Sequence, residues 1–197
     1  MRRDSRPAVE LLSSIFGKLY PKDENLPKRI LFVSAHFESN SYGFEIAHPD
    51  MEQLENNKIK AKLVYRGYDH GVFVPMKLIL PQADIPIVTM SINSYLTNQD
   101  HFNLGKTVTS FRDEDTLIPC SGQSTHNLRD SKLSVEERTK QITNWRNAPV
   151  AKYAHPSPDH FMTFVVAAGA GMEDKEPGAR ALFGGWALDH MSFANYA

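Results

Sequence analysis

Four of the eight histidines in the chain stand at positions where imidazole chemistry is possible. His36 follows the apolar run Ile30–Val33, which is too short for a helix and is typical of a strand buried on both faces. His126 follows a second apolar segment, Leu117–Cys120, and a loop of small polar residues. Because parallel strands bring their carboxyl ends to one edge of a sheet, we expect His36 and His126 to face one pocket.

The other two histidines lie near predicted helix starts. Ser157 is the expected N-cap and Pro158 the expected first residue of a helix, so His160 falls in its first turn. At that end the helix dipole favours the uncharged imidazole that a metal ligand must be. Asp69 directly precedes His70, and we expect its carboxylate to orient the His70 ring, as acidic partners of ligand histidines do.

The elements that must position these histidines alternate along the chain. Hydrophobic spacing and cap residues predict helices over 7–20, 50–57, 72–80, 97–112, 134–145 and 158–170. The pairs Thr97–Asp100 and Ser134–Glu137 are the expected capping residues of two of these helices. Short apolar runs predict strands over 30–33, 59–65, 85–92, 117–120 and 192–196. This alternation predicts a three-layer α/β fold, a single domain over residues 1–197 with a mostly parallel central sheet flanked by helices.

Composition excludes several classes of protein. A formal net charge of -1 lacks the basic surface of a nucleic-acid-binding protein. The single cysteine, Cys120, allows no internal disulfide and no Cys-cluster zinc site, and it favours a reducing compartment. No apolar run approaches the length that spans a bilayer, and no apolar region follows the basic N-terminal residues. We expect a cytoplasmic protein without nucleic-acid or membrane partners.

Several ordered motifs resemble those of one known family. They are SAHFES (Ser34–Ser39), YDHGVFVPMKLILPQADIPIVTMSI (Tyr68–Ile92), SGQSTHNLRD (Ser121–Asp130) and HPSPDHF (His155–Phe161). Together they resemble the class III extradiol ring-cleavage dioxygenases, in the LigB-like branch of the DOPA 4,5-dioxygenases. The resemblance covers most of the chain, and a set of ordered motifs is more specific than a single histidine pair.

The resemblance implies one divalent metal ion, Fe(II) for catalysis or Zn(II) as a bound ion. It implies that His36 and His160 are metal ligands, that His126 is the catalytic acid–base residue, and that His70 lines the substrate pocket. The implied reaction cleaves the aromatic ring of a DOPA-like catechol and incorporates both oxygen atoms of dioxygen. The implied partners are therefore the small catechol and dioxygen.

The chain also departs from the family pattern. Family members begin with a strand that ends in an HG-x-P motif, whose histidine is a further metal ligand, and no such motif precedes Pro7. We therefore expect the N-terminal strand and its ligand to be missing. The stretch Asn40–Gly67 is shorter than the corresponding family segment, and only Tyr42-Gly43-Phe44 matches its motif. Loss of a strand would expose a neighbouring sheet edge as well as remove a ligand.

Two other functional classes remain open. The first is a non-catalytic metal- or phenol-binding paralogue on the same scaffold, in which water completes the coordination begun by the two ligand histidines. The second is a hydrolase that uses Ser121, Ser124 or Cys120 near His126. The hydrolase pattern is weak, because the sequence has no G-x-S-x-G motif and no identifiable acidic partner.

Some reactive residue types have no predicted chemistry. His48, His101 and His190 follow no recognisable pattern, so we expect them at the surface. Cys120 lies in an apolar segment and is expected to be a buried, inert thiol.

Overall fold

The computed structural model describes residues 6–22, 24–47, 61–122 and 134–171, together with the short stretches 181–183, 186–187, 191–192 and 195–196. The predicted helix over 50–57 lies outside these residues. The described helices are α1 (Arg6–Ser13), α2 (Ile15–Leu19), α3 (His70–Ile79), α4 (Asn98–Val108), α5 (Val135–Thr143), α6 (Ala151–Ala154) and α7 (Asp159–Gly171). Short 3-10 helices span Thr109–Glu114 and Trp145–Asn147. None of the helices in these ranges is long and apolar enough to cross a membrane.

The main sheet is six-stranded and mostly parallel. Its strands are β1 (Arg29–Ser39), β2 (Phe44–Ile46), β3 (Ala61–Leu63), β4 (Ile87–Asn93), β5 (Thr116–Leu117) and β6 (Cys120–Ser121). β1 runs parallel to β4 on one side and to β5 and β6 on the other. β2 pairs antiparallel with β4 and parallel with β3. Short antiparallel pairs join β7 (Ala181–Phe183) to β10 (Asn195–Tyr196), and β8 (Trp186–Ala187) to β9 (Met191–Ser192).

β1 is buried on both faces, as its apolar run predicts. Ile30 and Phe32 pack on one side with residues of α3. Leu31 and Val33 point to the other side and join the larger core, which includes residues of α4 and α7. Side chains alternate between the faces of a strand, so this one segment contributes to both cores. The sheet thus lies between two helical layers, which confirms the predicted single-domain, three-layer α/β architecture.

Helices α4 and α7 pack closely because a glycine lies on each side of their contact. A Cβ at Gly105 would lie 2.1 Å from the carbonyl oxygen of Val166. A Cβ at Gly169 would lie 2.2 Å from the carbonyl oxygen of Phe102. Any larger residue would force the helix axes apart. α7, which carries His160, also packs against β1 and β6 of the sheet.

Several local predictions are confirmed at the level of single hydrogen bonds. Thr97 and Asp100 form a reciprocal capping box at the start of α4, and Ser134 and Glu137 form another at α5. The helix predicted over 72–80 starts earlier than expected. The helix begins at His70, so Pro75 lies in its second turn.

Several predicted elements are divided or shortened. The N-terminal helix breaks between α1 and α2 at Ser14, whose hydroxyl donates to the carbonyl oxygen of Leu11. The predicted strand over 117–120 is two short strands, β5 and β6, each paired with β1. The expected C-terminal strand is divided between β9 and β10.

Candidate active site

His36 lies inside β1 rather than after it, which corrects the predicted end of this strand. Pairing between β1 and β4 shifts register between Ser34 and Glu38, so His36 sits at an irregularity in the ladder. Its neighbours Ala35 and Phe37 are buried, whereas His36 is exposed. Bulges of this kind redirect a side chain while the strand continues. The His36 side chain is therefore exposed although the strand continues beyond it.

His70 is the first residue of α3, and Asp69 is its N-cap. Asp69 was predicted to orient the His70 ring, but the hydrogen bonds of its carboxylate run elsewhere. Its Oδ1 accepts from the backbone N–H of Gly71 at 2.8 Å and from the hydroxyl of Ser34 at 2.9 Å. Its Oδ2 lies 3.5 Å from the guanidinium of Arg66. The backbone N–H groups in the first turn of a helix have no partner within the helix, and Oδ1 of Asp69 accepts a hydrogen bond from one of them.

His160 lies in the first turn of α7, as predicted, although the helix begins at Asp159. The backbone N–H groups of Phe161 and Met162 both donate to the carbonyl oxygen of Pro158. This turn packs against the end of β6, where a Cβ at Gly122 would lie 2.2 Å from the carbonyl oxygen of His160. Close approach of the helix start to the sheet therefore depends on the absence of a side chain at Gly122.

The structure brings three of the four predicted histidines into one cluster. The ring centroids of His36 and His70 lie 4.0 Å apart with planes inclined by 38°. The ring centroids of His36 and His160 lie 4.9 Å apart, with the rings edge to face at 84°. His36 is thus the central member of the cluster. His126 lies outside the described residues, so its predicted place beside His36 remains a prediction.

The surroundings of His36 favour its uncharged form. Although the residue is exposed as a whole, partial burial of its ring lowers the pKa, and the neighbouring His70 and His160 lower it further. Asp69 and Asp159 act in the opposite direction. A neutral imidazole has the free lone pair that a metal ion or a hydrogen-bond donor needs. His36 is therefore available as a ligand at neutral pH.

His155 is a buried histidine near this cluster that sequence reasoning left without a role. Only 8% of its surface is exposed, and its ring packs edge-on against Trp145 and Phe161, with centroid distances of 5.9 and 5.2 Å. Burial lowers the pKa of His155, and the nearby His160 lowers it further. The position of His155 in the HPSPDHF motif is the sequence feature that could have indicated a role for it. The motif unites one histidine packed in the core with one at the rim.

His101 was predicted at the surface, and this prediction was wrong. The side chain is fully buried in α4. Its Nε2 accepts from the backbone N–H of Asn93 at 3.1 Å, and its Nδ1 lies 2.8 Å from the carbonyl oxygen of Thr97. These bonds require a neutral ring with the proton on Nδ1. His101 thus joins the start of α4 to the end of β4 and takes no part in the histidine cluster.

The imidazole nitrogens of the cluster are of a chemical type that binds metal ions. Neutral imidazole is a good ligand for Fe(II) and Zn(II), and His36 and His160 approach one another from a strand and a helix. Over the described ranges, however, no group of three or more His, Cys, Asp or Glu residues is arranged to hold a metal ion. Two imidazoles by themselves would fill only part of the coordination sphere of such an ion.

Cys120 is unsuited to the nucleophilic role considered for it. The residue is partly buried, and burial of its thiol raises the pKa to about 12. The reactive form of cysteine is the thiolate, which is scarce at neutral pH when the pKa is this high. This environment weakens the cysteine branch of the hydrolase alternative and fits the predicted inert thiol.

The family of the chain follows from comparison with known proteins. Residues 39–197 match the family model described as the catalytic LigB subunit of aromatic ring-opening dioxygenase. The chain belongs to this family. The matched range includes His70, His126 and His160, and this agrees with the resemblance read from the sequence motifs.

Relatives of the LigB family extend the similarity to almost the whole chain. The chain is 30% identical to a protein of Beta vulgaris named 4,5-DOPA dioxygenase extradiol, over 98% of this chain and 90% of the relative. A Portulaca grandiflora protein of the same name is also 30% identical, over 86% of this chain and 82% of the relative. The Beta vulgaris alignment spans 249 residues, more than the 197 of this chain, so the relative has internal residues without a counterpart here.

A solved structure supports the fold independently. An uncharacterised protein of Escherichia coli K12 superposes with a TM-score of 0.72, over 98% of this chain and 92% of that protein. Sequence identity is 23%, so this likeness concerns the fold alone. The LigB-family chain therefore shares its α/β architecture with a protein of known structure.

Proposed function

We propose that this LigB-family protein is a metal-dependent extradiol dioxygenase that cleaves the ring of a DOPA-like catechol with dioxygen. The observation that carries the proposal is the cluster of His36, His70 and His160 at the rim of the sheet. Membership of the ring-opening dioxygenase family and the names of two 30% identical relatives support the reaction class. The identity of the catechol substrate and the identity of the metal both belong to the proposal.

In this proposal His36 and His160 hold the metal, and a bound ferrous ion would supply the coordination positions where the diol and dioxygen react. His36 suits this task because its environment lowers its pKa and leaves the ring uncharged. A ligand must lose its proton before it binds, so a lowered pKa favours metal binding at neutral pH.

His70 would line the substrate pocket. Its ring stacks obliquely beside His36, and it is exposed at the start of α3, so a planar aromatic substrate can reach it. His126 would act as the acid–base residue and take a proton from a hydroxyl of the diol. A general base of this kind contributes roughly 10²- to 10⁴-fold to the rate.

The proposal is tested by oxygen uptake. Purified protein, reconstituted anaerobically with Fe(II), is mixed with DOPA or with unsubstituted catechol in an oxygen electrode, and the yellow ring-opened product is followed by absorbance. We expect uptake of dioxygen in step with product, faster for DOPA. The matched control is the same protein loaded with Zn(II), which cannot change its oxidation state.

Two results would contradict the proposal in different ways. Stoichiometric Fe(II) binding without oxygen uptake, for either diol, would favour the metal- or phenol-binding paralogue. Covalent labelling of Ser121 by a serine-directed probe, together with ester hydrolysis that needs no metal, would favour the hydrolase.

A further inference from the structure

A short chain of hydrogen bonds joins the strand that carries His36 to the helix that carries His70. The backbone N–H of His36 donates to the Ser34 hydroxyl oxygen at 3.2 Å, and this hydroxyl donates to Oδ1 of Asp69 at 2.9 Å. The same Oδ1 accepts from the N–H of Gly71 at 2.8 Å. A single carboxylate oxygen therefore connects the irregular part of β1 to the first turn of α3.

Ser34 is well placed to act as a fixed link. Its side chain is fully buried, and it lies on the face of β1 that meets α3. Asp69 is the N-cap of α3, so its side chain moves with the helix start. His70 follows directly in sequence. A displacement of this carboxylate would move the backbone of both histidines relative to each other.

Gly71 lies where the first turn of α3 closely approaches β1, and a side chain at this position would have no room. A Cβ at this position would lie 2.8 Å from Oγ of Ser34, 2.9 Å from Cδ2 of His36 and 3.0 Å from Oδ1 of Asp69. A methyl group would therefore press on the His36 ring and on both members of the hydrogen bond. To make room, the Ser34 hydroxyl would have to move away from Asp69, or the His36 ring would have to move away from His70.

We propose that Ser34, Asp69 and Gly71 are positioning residues that hold the imidazoles of His36 and His70 against each other. The three residues fix both ends of the contact, one through the strand backbone and one through the helix start. What the paired rings do rests on the proposed function, in which one ring binds the metal and the other meets the substrate. The contact between the two rings does not itself depend on that function.

The first experiment measures the ring pair without any metal. The full chain is labelled on histidine with ¹³C and ¹⁵N, the ring resonances are assigned with His36→Gln and His70→Gln, and the ring–ring nuclear Overhauser effect is recorded. Rings with centroids 4.0 Å apart should give a clear cross-peak. Gly71→Ala should lose this cross-peak. Gly67→Ala should keep it, because a Cβ at Gly67 meets nothing within 4 Å.

A second pair of variants keeps the test decisive if Gly71→Ala does not fold. Asp69→Ala should weaken the cross-peak because it removes the shared acceptor. Asp69→Asn should restore it, because an amide oxygen can also accept from a helix N-terminus. If Asp69 acted instead through the charge of its carboxylate, in the ion pair with Arg66, Asp69→Asn would not restore the cross-peak.

The second readout is the affinity for Co(II), measured by calorimetry on the same variants. Loss of a residue that orients a ligand typically weakens metal binding by about 10- to 100-fold, so we expect this loss in Gly71→Ala and Asp69→Ala. The proposal is overturned if Gly71→Ala keeps the cross-peak, or if it loses the cross-peak and binds Co(II) as tightly as Gly67→Ala. If the unsubstituted chain binds no Co(II), the proposed function fails in its metal, and the cross-peaks alone decide the positioning role.

Discussion

His36 and His160 meet edge to face, with ring centroids 4.9 Å apart and planes inclined by 84°. One comes from the irregular part of the central strand and the other from the first turn of the last long helix. Only the folded chain brings them together, so properties that depend on this pair report on both the proposed metal site and the packing of α7.

The first prediction concerns metal binding by this pair. His36→Ala and His160→Ala should each lose most of their Co(II) or Fe(II), because each substitution removes one of two neighbouring imidazole donors. His70→Ala should retain the metal, since the proposal places His70 in the substrate pocket. Elemental analysis after dialysis and calorimetric titration provide the measurement. Equal metal retention in all three variants would show that the ion binds elsewhere.

The second prediction separates acid–base chemistry from metal binding. In protein active with a catechol, His126→Ala should keep its metal but lose ring cleavage by roughly 10²- to 10⁴-fold, the usual contribution of a general base. Metal content, turnover and melting temperature are measured on the same preparation. Unchanged turnover per metal-loaded molecule would remove the acid–base assignment of His126.

The third prediction concerns the pH dependence of stability and involves His101. Burial lowers the pKa of His101 from its usual value of 6.5, an effect partly opposed by the Thr97 carbonyl and by Asp100. The unfolded state therefore binds the proton first as the pH falls below 6.5. Stability should be fully present above that pH and should decrease until the pH passes below the folded-state pKa, by at most about 1.4 kcal/mol per pH unit.

A substitution isolates this effect. His101→Phe removes the titrating group and leaves the Asn93 N–H without its acceptor, so it should cost about 1–3 kcal/mol above pH 7. Its stability should depend less on pH between 4 and 7, in urea denaturation, than that of the unsubstituted chain. Tyr153→Phe, at a residue that is 89% exposed, is the control and should leave the pH dependence unchanged. An equal slope in His101→Phe would assign the effect to another group.

The fourth prediction concerns the contact between α4 and α7. Gly105→Ala places a methyl group within 2.1 Å of the Val166 carbonyl oxygen, so the helices must separate. Overpacking of this kind costs about 1–3 kcal/mol, more than the roughly 1 kcal/mol gained in helix propensity. Gly171→Ala, at the end of α7 where a Cβ meets nothing within 4 Å, should not destabilise. Denaturant midpoints of the two variants should therefore move apart, and coincident midpoints would contradict the contact.

Much of the local structure could be read from short-range patterns. The run Ile30–Val33 predicted a strand buried on both faces, and the pairs Thr97–Asp100 and Ser134–Glu137 predicted capping boxes that the structure confirms. These features depend on residues only a few positions apart in the sequence, so their spacing alone indicates the local backbone geometry. The same holds for His160, whose place in a first helical turn follows from the residues just before it.

Contacts between distant segments decided the rest. The sequence by itself determined the family motifs, the α/β alternation and the positions of His70 and His160 at helix starts. It did not reveal that Asp69 would bond Ser34, that His101 would be enclosed between α4 and β4, or that β1 would continue past His36. The tertiary structure decided these, because a buried donor must find an acceptor wherever the fold brings one near, and because elements approach closely only where Gly71 and Gly122 leave room.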